Sequence, residues 1–95
     1  MPSEGGSLYE LPDHVTAVDV RDELMLLDQR SREVVKLNET ACYCLRSILG
    51  GRDMQGIVLG VADFTGCAID VAQRSVNQLL DNLVQEGWLA KKTWP

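Results

Sequence analysis

Three short strand-like runs stand ahead of three helical stripes, and that order limits the chain to a narrow set of folds. Val15-Thr16-Ala17-Val18-Asp19-Val20 is short and rich in β-branched residues, which suit a pleated, half-buried surface. Glu23-Leu24-Met25-Leu26-Leu27-Asp28 is an apolar run bounded by acids, and Glu33-Val34-Val35-Lys36-Leu37 is a third run. The links Arg21-Asp22 and Gln29-Arg30-Ser31-Arg32 are polar and short. The spacing therefore predicts an antiparallel meander with tight turns. In the third run, alternation sets Val35 and Leu37 on one face and Val34 and Lys36 on the other.

The helical half starts at Asn38, a favoured cap for a helix from Glu39. Ala41, Leu45 and Ile48 recur at helical spacing with Cys44 beside them. Gly50-Gly51 ends this helix. Asp53 caps a second helix carrying Ile57, Val58, Val61 and Phe64, and Gly66 ends it. Gly56 and Gly60 lie inside it, each weakening its propensity by about 1 kcal/mol relative to Ala, so tertiary packing must hold it. A third helix is expected from a cap at Asp70, with Gln73 completing a variant capping box. Its apolar stripe is Ala72, Val76, Leu79, Leu80 and Leu83. Gly87 stops it, and Trp88-Leu89 can fold back on the core.

The fold expected is α+β: a winged helix-turn-helix in which a three-stranded antiparallel sheet is followed by three helices. At 95 residues the chain has room for one compact core and no more. Residues 1–10, rich in Gly, Ser and Glu, are expected to be a flexible tail, residues 11–90 the domain, and residues 91–95 a frayed end.

Charge argues against the commonest use of such a fold. The formal net charge is −5, opposite to the balance of a protein that neutralises phosphates. The third helix carries Arg74 against Asp70, Asp81 and Glu86, where base and phosphate contacts need Lys or Arg. No nucleic-acid partner is expected. Arg21, Arg30, Arg32 and Lys36 collect on the hairpin side, either as a solvated rim or as an acceptor surface for an acidic peptide. No apolar run approaches a membrane span, and the start lacks a secretory pattern, so a cytoplasmic location is expected and no membrane partner.

An active site is not legible. His14 stands alone, no phosphate loop or dinucleotide fingerprint occurs, and Asp22-Glu23 fall in a turn. Three cysteines, Cys42, Cys44 and Cys67, cannot all pair. Cys42 and Cys44, two apart on a helix, face opposite ways and cannot share a metal. They are expected to act as small apolar residues. No enzyme activity, cofactor or metal is expected. What remains is an exposed sheet edge: in a three-stranded meander two strands are edges, whose unpaired backbone groups accept another strand. A groove between the third strand and the third helix suits an extended peptide.

The segment from Leu11 to Leu89 resembles the PqqD-like family, the peptide-recognition elements of ribosomal peptide biosynthesis. The resemblance is carried by Leu11-Pro12-Asp13-His14-Val15, Leu26-Leu27-Asp28-Gln29-Arg30-Ser31, Val35-Lys36-Leu37-Asn38-Glu39-Thr40-Ala41, Leu49-Gly50-Gly51 and Leu83-Val84-Gln85-Glu86-Gly87-Trp88-Leu89. Within the family the chain is similar to the free-standing leader-binding proteins of lasso-peptide pathways. The resemblance implies a precursor leader peptide added as a strand beside Glu33, Val34, Val35, Lys36 and Leu37, with Val34, Val35 and Lys36 pairing through backbone. It implies a helical wall of Val76, Asn77, Leu80, Asp81 and Val84, although Leu80 and Val84 stand equally well in the core. A leader peptidase and a cyclase are the implied recipients, and a homodimer stays open. Two rival functions remain, a winged-helix transcription regulator and a PqqD-type peptide chaperone for a radical-SAM enzyme. Family members often carry an aromatic where Val34-Val35 stand here, and the glycine-weakened second helix could shift the groove. Tyr9-Glu10-Leu11-Pro12 matches the Tyr-x-x-Pro element typical of lasso leaders, which raises the idea that this segment fills a neighbour's groove.

Overall fold

A computed structural model describes residues 9–92. The remaining parts of the two expected tails, 1–8 and 93–95, lie outside the described residues. The elements run β1 (Tyr9–Glu10), β2 (Val15–Val20), β3 (Glu23–Asp28), β4 (Val34–Lys36), α1 (Glu39–Leu49), α2 (Met54–Thr65), α3 (Ile69–Gln85) and β5 (Ala90–Lys91). β2, β3 and β4 form the expected antiparallel meander in that order. The three helices follow it, so the α+β winged-helix architecture is the observed one.

The meander's registers follow from its turns and its hydrophobic alternation. Ala17, Leu26 and Val35 sit side by side across the three strands. With Leu24 and Leu37 they make the inner face, and Leu26 is fully buried. The β2–β3 turn uses Arg21 at φ 51 and Asp22 at φ 68. Positive φ at both central positions matches the twist of the strands but costs non-glycine residues steric strain. Asp22→Gly is therefore expected to stabilise the fold by about 0.5–1 kcal/mol, read as a higher urea midpoint at unchanged slope. At the other end Asp28 accepts the N–H groups of Arg30 (2.8 Å) and Ser31 (3.1 Å). These bonds, with nearby positive charge from His14 and Arg30, hold its carboxyl below the usual range.

The helices cover the inner face. Asn38 Oδ1 accepts the Ala41 N–H at 2.8 Å and Asp53 Oδ1 accepts the Gly56 N–H at 2.9 Å, as helix caps do. Gly66 closes α2 in the left-handed conformation. The core joins Ala41, Cys44, Leu45 and Ile48 of α1 to Ile57, Val58 and Val61 of α2, and to Ala72, Val76, Leu80 and Leu83 of α3. Leu89 folds back into it at 2% exposure. Arg46 of α1 grips the Asp19 carboxylate of β2 with both guanidinium nitrogens and donates to the Asp22 carbonyl at 3.2 Å, tying α1 to the hairpin.

Four expectations need correction. Tyr9–Glu10 and Lys91, expected in the tails, are held in a second small antiparallel sheet in which Tyr9 pairs with Lys91 and Glu10 with Ala90. Tyr9 and Leu11 pack on the core, and burying that apolar surface outweighs the local polarity of the segment. The α3 cap is Ala68, with no side-chain bond, and Asp70 lies in the first turn. There its charge meets the positive end of the helix dipole instead. Phe64 is half exposed and stacks on Tyr43 at 5.9 Å between ring centres rather than entering the core. The basic residues do not form one patch: Arg21 and Lys36 lie at one end of the hairpin, Arg30 and Arg32 in the turn at the other.

Candidate functional site

The ladder decides what β4 can offer. Leu37 N–H donates to the Leu24 carbonyl (3.3 Å) and Asp28 N–H to the Glu33 carbonyl (2.8 Å). Antiparallel pairs alternate between bonded and non-bonded. Glu33, Val35 and Leu37 therefore direct their backbone groups at β3, and Val34 and Lys36 direct theirs outward. Among the described residues no strand pairs with this outer edge. Of the three residues expected to pair through backbone, two can, and Val35 cannot.

The side chains follow the same alternation. Val34 is 59% exposed and Lys36 is exposed, its ammonium 3.3 Å from Glu23 Oε1. Val35 is half-buried against the core and Leu37 is buried. Every second residue of a strand added here would share the inner side with Val35, and the residues between would share the outer side with Val34 and Lys36. At the Lys36 end the edge opens on a cleft of about 600 Å³ whose lining includes Arg21, Lys36, Glu39, Cys42, Arg46 and Phe64. This cleft had no sequence signal, because its walls come from the β2–β3 turn, α1 and the end of α2.

The helical wall divides. Val76 and Leu80 are fully buried and belong to the core, so a polar substitution at Leu80 unfolds the protein rather than probing a groove. They sit on the face of α3 that points at the sheet and α2, where the stripe places them. Asn77 and Asp81 are exposed and Val84 is half-buried. These three, at i, i+4 and i+7, share one flank. Asp81 is close enough to Tyr9 to help raise its phenol above the usual range, after burial itself. Tyr9 pairs with Lys91 of its own chain.

His14 Nε2 lies 3.9 Å from Asp28 Oδ2. Among the described residues no group of three His, Cys, Asp or Glu side chains is placed to hold a metal. The thiols are free. Cys42 accepts the Leu24 N–H on sulfur at 3.4 Å, and Cys44 is fully buried, its thiol pushed up by that burial from 9.0 to about 11. Its neutral form is thus favoured by folding. That stability is complete below pH 9 and is lost as pH rises toward 11. Native-state titration with a thiol reagent is expected to label Cys44 only on unfolding, and Cys44→Ala to flatten the alkaline loss of stability.

The family model for coenzyme PQQ synthesis protein D (PqqD) matches residues 23–89, and the chain belongs to the PqqD family. Two solved structures are similar to it in fold. One is a lasso peptide synthetase B1 complexed with the leader peptide, at TM-score 0.80 and 22% identity, covering 86% of this chain and 96% of that one. The other is TbiB1 in complex with the TbiA(beta) leader peptide, at TM-score 0.79 and 16% identity, covering 90% and 99%. No curated protein matches the chain. Among the described residues no single helix is long and apolar enough to cross a membrane.

Proposed function

We propose that the chain is a non-catalytic leader-recognition protein of lasso-peptide biosynthesis. It captures the precursor's leader as an added strand on β4 and hands it, in the cytoplasm, to the leader peptidase and then the cyclase. The observation that carries this is the open β4 edge, with Val34 and Lys36 offering outward N–H and C=O groups in a chain of the PqqD family. Both solved relatives are described as complexes with a leader peptide. Three free thiols suit a reducing compartment.

Energetics say where selectivity must lie. Each backbone bond contributes about 1 kcal/mol net, and ordering a flexible leader costs roughly 2–5 kcal/mol. The ladder alone nearly cancels. Apolar leader side chains must supply the surplus, and those placed to do so are the alternate residues on the inner side, next to Val35.

The test is fluorescence polarisation with the labelled leader encoded beside this gene. Saturable binding, lost with a scrambled leader of the same composition, is expected; no binding by a folded protein would refute the reading. The family match favours one rival, a peptide chaperone for a radical-SAM enzyme. Preferential binding of that enzyme class's precursor in the same assay would establish it. A transcription regulator is disfavoured because Asp70, Asp81 and Glu86 are all exposed on α3 beside Arg74. No gel shift with promoter DNA at physiological salt is expected.

A further inference from the structure

The last rung of the β3–β4 ladder is not closed by backbone alone. The register sets Leu24 opposite Leu37, one step beyond the Met25–Lys36 pair, and a bonded pair of this kind exchanges two N–H···O bonds. Here the Leu37 N–H reaches the Leu24 carbonyl at 3.3 Å, long for such a bond. A side chain replaces the return bond. The Leu24 N–H donates to Cys42 Sγ at 3.4 Å, and the thiol donates to the Leu37 carbonyl at 3.5 Å. The Leu24 carbonyl lies farther from the sulfur, at 3.8 Å, and already holds the Leu37 N–H. A thiol can accept and donate at once, so Cys42 stands in the rung as a relay.

The short link between strand and helix brings it there. Only Leu37 and Asn38 separate β4 from α1, so the first turn of α1 lies against the end of β4. The Cys42 N–H donates to the Asn38 carbonyl at 2.8 Å, and Arg46 ties the same helix to Asp19 of β2. The cleft beside Lys36 opens at this point, with Glu23, Leu37 and Cys42 in its lining.

We propose that Cys42 is a positioning residue for the peptide edge: its thiol fixes the Leu37–Asn38 peptide so that the Asn38 N–H becomes a further donor to the leader, next to the groups of Lys36. The inference rests on leader capture at β4. A peptide unit is planar and trans, so its C=O and N–H point opposite ways. With the Leu37 carbonyl turned to the thiol, the Asn38 N–H faces away from it, continuing the outward alternation of Val34 and Lys36. Asn38 is exposed and extended, at φ −75 and ψ 177. Its N–H has no acceptor among the described residues, and its side chain is engaged as the α1 cap. An apolar side chain at position 42 would leave the Leu24 N–H and the Leu37 carbonyl to close on each other or turn to water. Either rearrangement rotates the peptide that carries the Asn38 N–H.

Fluorescence polarisation with the labelled leader tests this on Cys42→Val and Cys42→Ala, which remove both hydrogen-bonding roles, and on Cys42→Ser, which keeps them. The apolar variants should bind the leader at least about fivefold more weakly, the loss of one net hydrogen bond. Cys42→Ser should stay within about twofold of wild type, since its hydroxyl can restore the relay. All three should keep the native circular dichroism spectrum. Amide hydrogen exchange gives a readout that a merely structural role would not move. Saturating leader should slow exchange at Asn38 in wild type and Cys42→Ser, and leave it unchanged in the apolar variants. Apolar variants that bind at wild-type affinity, a serine variant as weak as they are, or an Asn38 amide that bound leader never protects overturns the proposal. A folded wild-type protein that binds no leader fails the underlying reading, and the positioning role with it, which separates the two results.

Discussion

Val34→Pro is expected to abolish leader binding in a protein that still folds. Val34 opens an edge strand and points its N–H away from β3, so proline there removes no native ladder bond. It removes one donor from the added ladder, and its ring obstructs the approach of a strand. Affinity should fall by at least about tenfold, from the lost bond of about 1 kcal/mol together with the steric term. Lys36→Ala, which keeps both backbone groups and removes a solvated ammonium, should cost less than about threefold. Val35→Pro is the informative contrast: its N–H serves the β3 pair, so it should lower stability first. Polarisation titrations of the three variants, with a urea melt of each, read the order directly. Binding by Val34→Pro at wild-type affinity would move the peptide off β4.

Gly60→Ala should destabilise the fold by about 2 kcal/mol, although alanine is the better helix former by about 1 kcal/mol. A Cβ at position 60 would stand 1.8 Å from the Tyr43 hydroxyl oxygen and 2.6 Å from the ring carbon bearing it. Tyr43 has little freedom to withdraw, since it stacks on Phe64 and accepts a hydrogen bond from Arg52 at 3.0 Å. The glycine is what lets the Tyr43 ring lie across α2. Gly56→Ala is the control: its Cβ meets only the exposed Asp53 carboxylate, at 3.2 Å, and should change stability by less than about 1 kcal/mol. Adding Tyr43→Ala to Gly60→Ala should recover part of the loss, because the clash goes with the ring. Urea unfolding of wild type, Gly60→Ala, Tyr43→Ala and the double variant measures the coupling, and a Gly60→Ala protein at least as stable as wild type would refute it.

The glycines of α2 show where sequence reasoning stops. Read locally, Gly60 is a defect in a helix. In the fold it is the floor under a tyrosine seventeen positions away, as 60 − 43 gives. Val76 and Leu80 show the same limit. Their spacing puts them on the apolar stripe, but both the core and a groove draw on such residues, and only packing against the sheet and α2 assigns these two to the core.

The strands, the three helices, the caps at Asn38 and Asp53, and the stop at Gly66 are written in short windows of the chain, because period, capping and glycine conformation act over a few residues. The sheet edge suited to a peptide followed from the number of strands. Which backbone groups on that edge face outward did not. That parity depends on how β4 meets β3, and a shift of one residue would exchange Val35 for Val34 and Lys36. The pairing of Tyr9 with Lys91 and the cleft beside Lys36 likewise join residues far apart along the chain. Contacts of that range are chosen by which apolar surfaces can be buried together, a property of the whole packed chain that no single segment carries.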